Sequence, residues 1–303
     1  MRVRVRVPAT SANLGPGFDA LGLALALHNE VIAEAAADVT VSIDGEGRGR
    51  LDDGAKNLVA RAVALAHEVA GRPFHGARLR CINRIPLSRG LGSSAAAWVG
   101  GLLAANALMG EPLDREALLT VAARAEGHPD NVAAALLGGL TVSCADGVRV
   151  TAVSLRAPSE IEWVVLLPET ESSTREARAV LPDTLARADA VFNVQRVSLL
   201  LAALAGGRAD LLDRAMQDRL HQPYRQRLFP WMEAIATAGR RAGALGCVLS
   251  GAGPSMLAAV RQRDGGAVAE AMERALRAAG IGGRAIALPV DPVGATWEQV
   301  SET

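Results

Sequence analysis

From Gly90 to Gly110 the chain carries no charged residue. This run opens inside Pro86-Leu87-Ser88-Arg89-Gly90-Leu91-Gly92-Ser93-Ser94, directly behind an alternating segment at 77–83. No other feature restricts the fold as tightly. The alternating segment reads as a strand with one buried face. The glycines and serines then form a turn, and the Ala-rich stretch behind them reads as a long apolar helix. Its length invites comparison with a membrane span. Its Gly, Ser, Ala and Asn content, with few large apolar groups, predicts instead a buried helix of a soluble fold, and no membrane partner is expected.

A strand that passes through a glycine turn into a helix has a chemical consequence. Glycine lets the backbone approach a ligand closely. The first N–H groups of a helix have no internal partner, and the helix dipole adds positive potential there. Segment 86–95 is therefore a candidate phosphate cradle, with Ser93 and Ser94 offering hydroxyls to a phosphate oxygen or to Mg²⁺. It lacks the lysine of a Walker A loop. It also lacks the glycine spacing of a dinucleotide-binding fingerprint. By itself it could equally be a strand-to-helix turn whose small residues allow tight packing.

The 303 residues suit two domains of about 150 residues each. Half of them are hydrophobic but only 3% are aromatic, so Ala, Leu and Val must fill the cores. Basic and acidic residues number 32 each, which argues against a general polyanion binder, and no nucleic-acid partner is expected. Lys56 is the sole lysine. Cys81, Cys144 and Cys247 are far apart, have no metal-ligand spacing, and are expected to be buried free thiols. The Arg-Val alternation of residues 2–7 reads as a strand and not as a signal peptide.

Further strands are expected at 39–43, 140–144, 148–154, 161–167, 246–250, 256–261 and 282–289. Helices are expected at 57–70, from Asp114 to Glu126, from Pro129 to Gly138, and at 264–279. A long helical region at 173–243 should break near Pro182, Gly206-Gly207 and Pro223. From residue 158 the order strand, helices, strand, strand, helix, strand matches a ferredoxin-like split βαβ unit with inserted helices. The domain boundary is placed near Ala157-Pro158.

Three segments together carry a specific resemblance. Pro8-Ala9-Thr10-Ser11-Ala12-Asn13-Leu14-Gly15-Pro16-Gly17-Phe18-Asp19, the loop 86–95 and Ser250-Gly251-Ala252-Gly253-Pro254-Ser255 are similar to the three ordered motifs of the GHMP kinases. That family joins galactokinase, homoserine kinase, mevalonate kinase and phosphomevalonate kinase. Glu126-Gly127-His128-Pro129-Asp130-Asn131, the segment Ser173 to Pro182 and Gln222-Pro223-Tyr224-Arg225 resemble its homoserine kinase branch. The implied fold is α+β in two domains: a mixed α/β N-terminal domain of ribosomal protein S5 domain 2-like type (1–157) and a ferredoxin-like C-terminal domain (158–303). The implied activity is transfer of the ATP γ-phosphate to homoserine, in the cytoplasm. A homodimer is implied by the family alone.

The resemblance also distributes roles. Pro86, Ser88, Arg89, Gly90, Leu91, Gly92, Ser93 and Ser94, with Gly251 and Gly253, would hold ATP, and Asn57 would line the adenine pocket. Ser94 and Glu126 would hold Mg²⁺. Arg178 and Arg225 would bind the acceptor carboxylate, whose geometry suits a planar guanidinium fork. Asp19 and Asn13 would take the ammonium, and Asn131 would aim the reacting hydroxyl. Asp130 could act as general base, although a loose transition state leaves ATP itself as an alternative proton acceptor. A mevalonate- or sugar-type kinase and a non-catalytic ligand-binding relative are the competing readings.

Overall fold

The computed structural model describes residues 1–301. The N-terminal half supplies six strands of a seven-stranded sheet under a helical layer. Its elements are β1 (Arg2–Ala12), β2 (Leu21–Ala35), β3 (Thr40–Gly45), α1 (Leu58–Val69), β4 (Ala77–Asn83), α2 (Ser93–Leu108), α3 (Arg115–Glu126), α4 (Asp130–Leu137), β5 (Leu140–Asp146) and β6 (Arg149–Leu155). The second half contains β7 (Ile161–Pro168), α5 (Thr174–Ala179), α6 (Arg187–Ala205), α7 (Leu212–Ala215), α8 (Gln222–Arg225), α9 (Met232–Arg241), β8 (Gly246–Leu249), β9 (Met256–Arg261), α10 (Gly265–Ala278), β10 (Gly283–Leu288) and β11 (Thr296–Gln299).

The first sheet runs β11-β1-β2-β4-β3, with β5 and β6 continuing from the far end of β2. On β1, Val3, Val5 and Val7 are buried while the intervening arginines face outward, as alternation requires. Helix α2 lies across this sheet, and twelve of its sixteen residues are buried. It packs closely on α1: a Cβ on Gly101 would stand 2.5 Å from the Val59 carbonyl oxygen. Gly101 thus serves close helix contact in spite of its low helix propensity.

The second sheet runs β10-β7-β9-β8, all antiparallel. In chain order this is 4-1-3-2, the ferredoxin-like arrangement, with α5 to α9 inserted between its first two strands. Helices α9 and α10 pack on one face through Ile235, Val268, Met272 and Leu276.

Three expectations need correction. The unit 158–303 does not stay together, because β11 leaves it and pairs with β1 in the first sheet, Val5 opposite Trp297. Strand β2, the longest in the molecule, had no counterpart in the sequence pattern. Its first five residues are all buried, so two-residue alternation is absent, and Ala and Leu favour helix in isolation. Cys144 is exposed, not buried, as are Ala145 and Asp146 after it at the end of β5. The helical region does break near Pro223: α7 ends at Ala215 and α8 begins at Gln222, with Pro223 in its first turn, where a missing N–H is harmless. Among the described residues α6 alone is long and apolar enough to cross a membrane.

Candidate active site

The three motifs that resemble family signatures meet at the backbone level. Thr10 N–H donates to the Leu91 carbonyl at 3.1 Å, and Gly251 N–H donates to the Ala12 carbonyl at 3.1 Å. Ser250 Oγ lies 2.7 Å from the Gly90 carbonyl oxygen and 2.8 Å from Ser11 Oγ. The end of β1, the glycine loop before α2 and the turn between β8 and β9 therefore form one rigid floor. A strap at 169–173 crosses above it, with Ser172 N–H donating to the Ser88 carbonyl. On that strap Glu171 takes both terminal nitrogens of Arg50, and Arg89 donates to the Pro168 carbonyl.

A cavity of about 230 Å³ opens on this floor. Every residue assigned a site role from the sequence lines it except Asn57: Asn13, Asp19, Pro86, Ser88, Arg89, Gly90, Leu91, Gly92, Ser93, Ser94, Glu126, Asp130, Asn131, Arg178, Arg225, Gly251 and Gly253. Asn57 instead lines an adjoining cavity of about 290 Å³, which shares Ser88, Ser93 and Ser94 with the first. Its walls include Val31, Leu58 and Leu87, apolar enough for a flat base, with Asn29 and Asn83 as polar points. The Asn57 amide is already used. Its oxygen caps α1 through Val59 N–H, and its nitrogen donates to the Asp52 carbonyl.

Helix α2 begins at Gly92, whose φ of 67° lies in the left-handed region. No side chain caps this end, so the first amides stay available to a ligand. Ser94 Oγ–H donates to Glu126 Oε2 at 2.7 Å. Burial, chiefly, raises the Glu126 pKa above the usual carboxylate range, while Ser94 and His128 pull it back. One carboxylate and one hydroxyl, completed by phosphate oxygens and water, make a normal Mg²⁺ shell, so the residues present fit that ion. Among the described residues no group of three or more His, Cys, Asp or Glu offers another metal site.

Beside Glu126, His128 Nδ1 is 2.6 Å from Asp130 Oδ1. Burial, the largest influence, disfavours the charged ring, but the Asp130 hydrogen bond and the charges of Asp130 and Glu126 outweigh it and raise its pKa. Asp130 Oδ1 also accepts the Asn131 N–H at 2.7 Å. Thr10 Oγ1–H donates to Asn131 Oδ1 at 2.8 Å, which fixes the orientation of the amide, and its NH₂ lies 3.5 Å from Asp130 Oδ1.

The opposite wall is cationic. Arg178 grips Asp19 with both terminal nitrogens, at 3.0 and 2.6 Å. Asn13 accepts the Asp19 N–H and donates to the Gly251 carbonyl. Arg225 is 2% exposed and donates to the Ala177 and Gly251 carbonyls and to His221 Nδ1. It has no carboxylate partner among the described residues. Burial first, then Arg178, pulls its pKa down to about 10, so it remains charged at neutral pH. His221 donates from Nε2 to the Gly15 carbonyl at 2.8 Å, and burial lowers its pKa, which marks a neutral ring.

Sequence reasoning missed several residues here. Phe18, Ser172, Ser173 and Thr174 line the first cavity, and Lys56 the second. Phe18 and Ser173-Thr174 lie inside the quoted motifs, which was a usable signal. Thr10 was also quoted, but its bond to Asn131 spans 121 positions and depends on the fold.

Known proteins bear on this geometry directly. Residues 57–139 match the model described as GHMP kinases N terminal domain, and 200–278 match GHMP kinases C terminal. The chain is 48% identical over 273 residues to a homoserine kinase of Moorella thermoacetica, covering 89% of this chain and 92% of that one. It is 43% identical to a homoserine kinase of a Synechococcus species over all of both chains. The crystal structure of homoserine kinase from Cytophaga hutchinsonii superposes with a TM-score of 0.89 at 33% identity, covering 98% of this chain and 97% of that one.

Proposed function

The chain belongs to the homoserine kinases of the GHMP kinase family, and from that premise we propose that it moves the γ-phosphate of ATP onto the side-chain hydroxyl of L-homoserine. The products are O-phospho-L-homoserine and ADP, a step of threonine biosynthesis. The single observation that carries the acceptor assignment is Arg225: a buried cation, without a carboxylate of its own, on the cavity wall beside Arg178. A buried charge of this kind is stable only when a partner satisfies it. A small ligand carboxylate fits, and Asp19 with Asn13 then meets the ligand ammonium.

Phosphoryl transfer is mainly positioning and neutralisation of charge. The free amides at the start of α2 receive the phosphates, and the apolar cavity around Asn57 receives the base. Glu126 and Ser94 hold Mg²⁺, which supplies charge neutralisation on the phosphate oxygens. Asn131, locked by Thr10, directs its NH₂ to the acceptor hydroxyl and aims it in line. Asp130 receives the hydroxyl proton on Oδ2, the oxygen that His128 and the Asn131 amide leave free. A late proton transfer to that oxygen suits a loose transition state.

The proposal places the enzyme in the cytoplasm, without nucleic-acid or membrane partners, in keeping with equal numbers of basic and acidic residues. It also takes the enzyme as a homodimer. Analytical ultracentrifugation should then give dimers, and a monomeric wild type would end that part of the proposal.

The decisive assay measures ADP release with Mg-ATP and a panel of homoserine, serine, threonine, mevalonate and galactose. Homoserine should give the highest kcat/KM. Turnover confined to mevalonate or galactose would defeat the acceptor assignment.

A further inference from the structure

The ring of Phe18 lies within cation–π reach of two arginines. The guanidinium carbon of Arg178 lies 5.4 Å from its ring centroid, and that of Arg225 lies 5.5 Å away. The ring of His221 packs on it at 5.2 Å, tilted by 31°. Two cations held this close repel each other, and Arg178 is among the influences that make Arg225 harder to protonate. Arg178 has Asp19 as a counter-charge, but Arg225 has only carbonyls, a neutral imidazole and the face of Phe18. The negative face of an aromatic ring attracts a guanidinium, and more strongly where water is excluded. Phe18 itself is half-buried and lines the cavity.

We propose that Phe18 is a positioning residue for the acceptor: its ring holds Arg178 and Arg225 side by side against their repulsion, so that the pair converges on the acceptor carboxylate before it arrives. This deepens the reading of both arginines as the carboxylate site and rests on it. Leucine at position 18 keeps the apolar bulk but removes the quadrupole. Tyrosine keeps both.

The test compares homoserine with 3-aminopropan-1-ol, the same molecule without its carboxylate, used as a competitive inhibitor. The ratio of the inhibitor's Ki to the homoserine KM reports what the carboxylate contributes. Phe18→Leu should raise the homoserine KM about tenfold, the loss falling on KM rather than kcat. The Ki of the amino alcohol and the KM for ATP should stay within about twofold, and Phe18→Tyr should restore the homoserine KM to within about threefold. Phe18→Met carries the same measurement if the leucine variant does not fold. Equal losses for homoserine and the amino alcohol, or equal losses in the Leu and Tyr variants, would overturn the inference. Arg178→Ala separates the two levels. If it leaves the Ki-to-KM ratio intact, the carboxylate site is wrongly placed. If it collapses that ratio while Phe18→Leu does not, only the role of Phe18 fails.

Discussion

Arg178 and Arg225 share one ring yet have different electrostatic lives. Arg178 is half-exposed and spends its fork on Asp19. Arg225 is buried and has no such partner, which is why it, more than Arg178, predicts a ligand. Burial decides reactivity as well as charge. Cys81 and Cys247 sit in the cores, and burial pushes each thiol up to about 12, while Cys144 lies in water near the tip of a hairpin. A thiolate is the reactive form. Ellman's reagent at pH 8 should therefore titrate one thiol per native chain and three after denaturation. Two fast-reacting thiols in the native protein would contradict the packing around β4 or β8.

At the scale of elements, α2 does two jobs that conflict in most helices. Its body is packed on nearly all sides, and its N-terminus is left uncapped for a ligand. Gly92 reconciles them. Its positive φ turns the chain from the loop into the helix, and the absence of a side chain leaves room for Thr10. A Cβ there would meet Thr10 Oγ1 at 1.9 Å and Asn131 Oδ1 at 3.1 Å. Gly92→Ala should therefore break the Thr10–Asn131 hydrogen bond while leaving the α2 body in place. We expect kcat to fall at least about tenfold, in line with the sensitivity of in-line geometry to small displacements. The left-handed φ adds about 1 kcal/mol of destabilisation. Steady-state kinetics and a thermal melt check both parts. Normal kcat would show that Thr10 does not position Asn131.

The whole molecule is two sheets whose facing loops form the site. Several motif contacts cross between the halves: the β8–β9 turn hydrogen-bonds to the end of β1, and the strap after β7 covers the loop before α2. The return of β11 to β1 ties the end of the second half to the first sheet. Removing residues 295–303 would strip that edge pairing, the burial of Ala295 and the Trp297 bond to Glu111. Loss of a few ladder hydrogen bonds costs about 3 kcal/mol, a fall in Tm of roughly 5–10 °C for a domain of this size. The truncated protein should keep its KM values for ATP and homoserine, because no residue of β11 lines either cavity. An unchanged Tm would mean that the pairing adds nothing.

Local pattern was enough to place the strand-turn-helix cradle, the helix boundaries at Asp114 and Gly138, the ferredoxin-like order after residue 160, and most residues of the first cavity. These are local: they depend on periodicity, on turn chemistry, or on motifs in which neighbours in the chain act together. The folded chain was needed to reveal that β2 is a strand, that β11 belongs to the first sheet, that Cys144 is exposed, and that Thr10 locks Asn131 while Phe18 lies against two arginines. Each of those depends on contacts between distant segments, where burial and pairing override what the local residues would do alone.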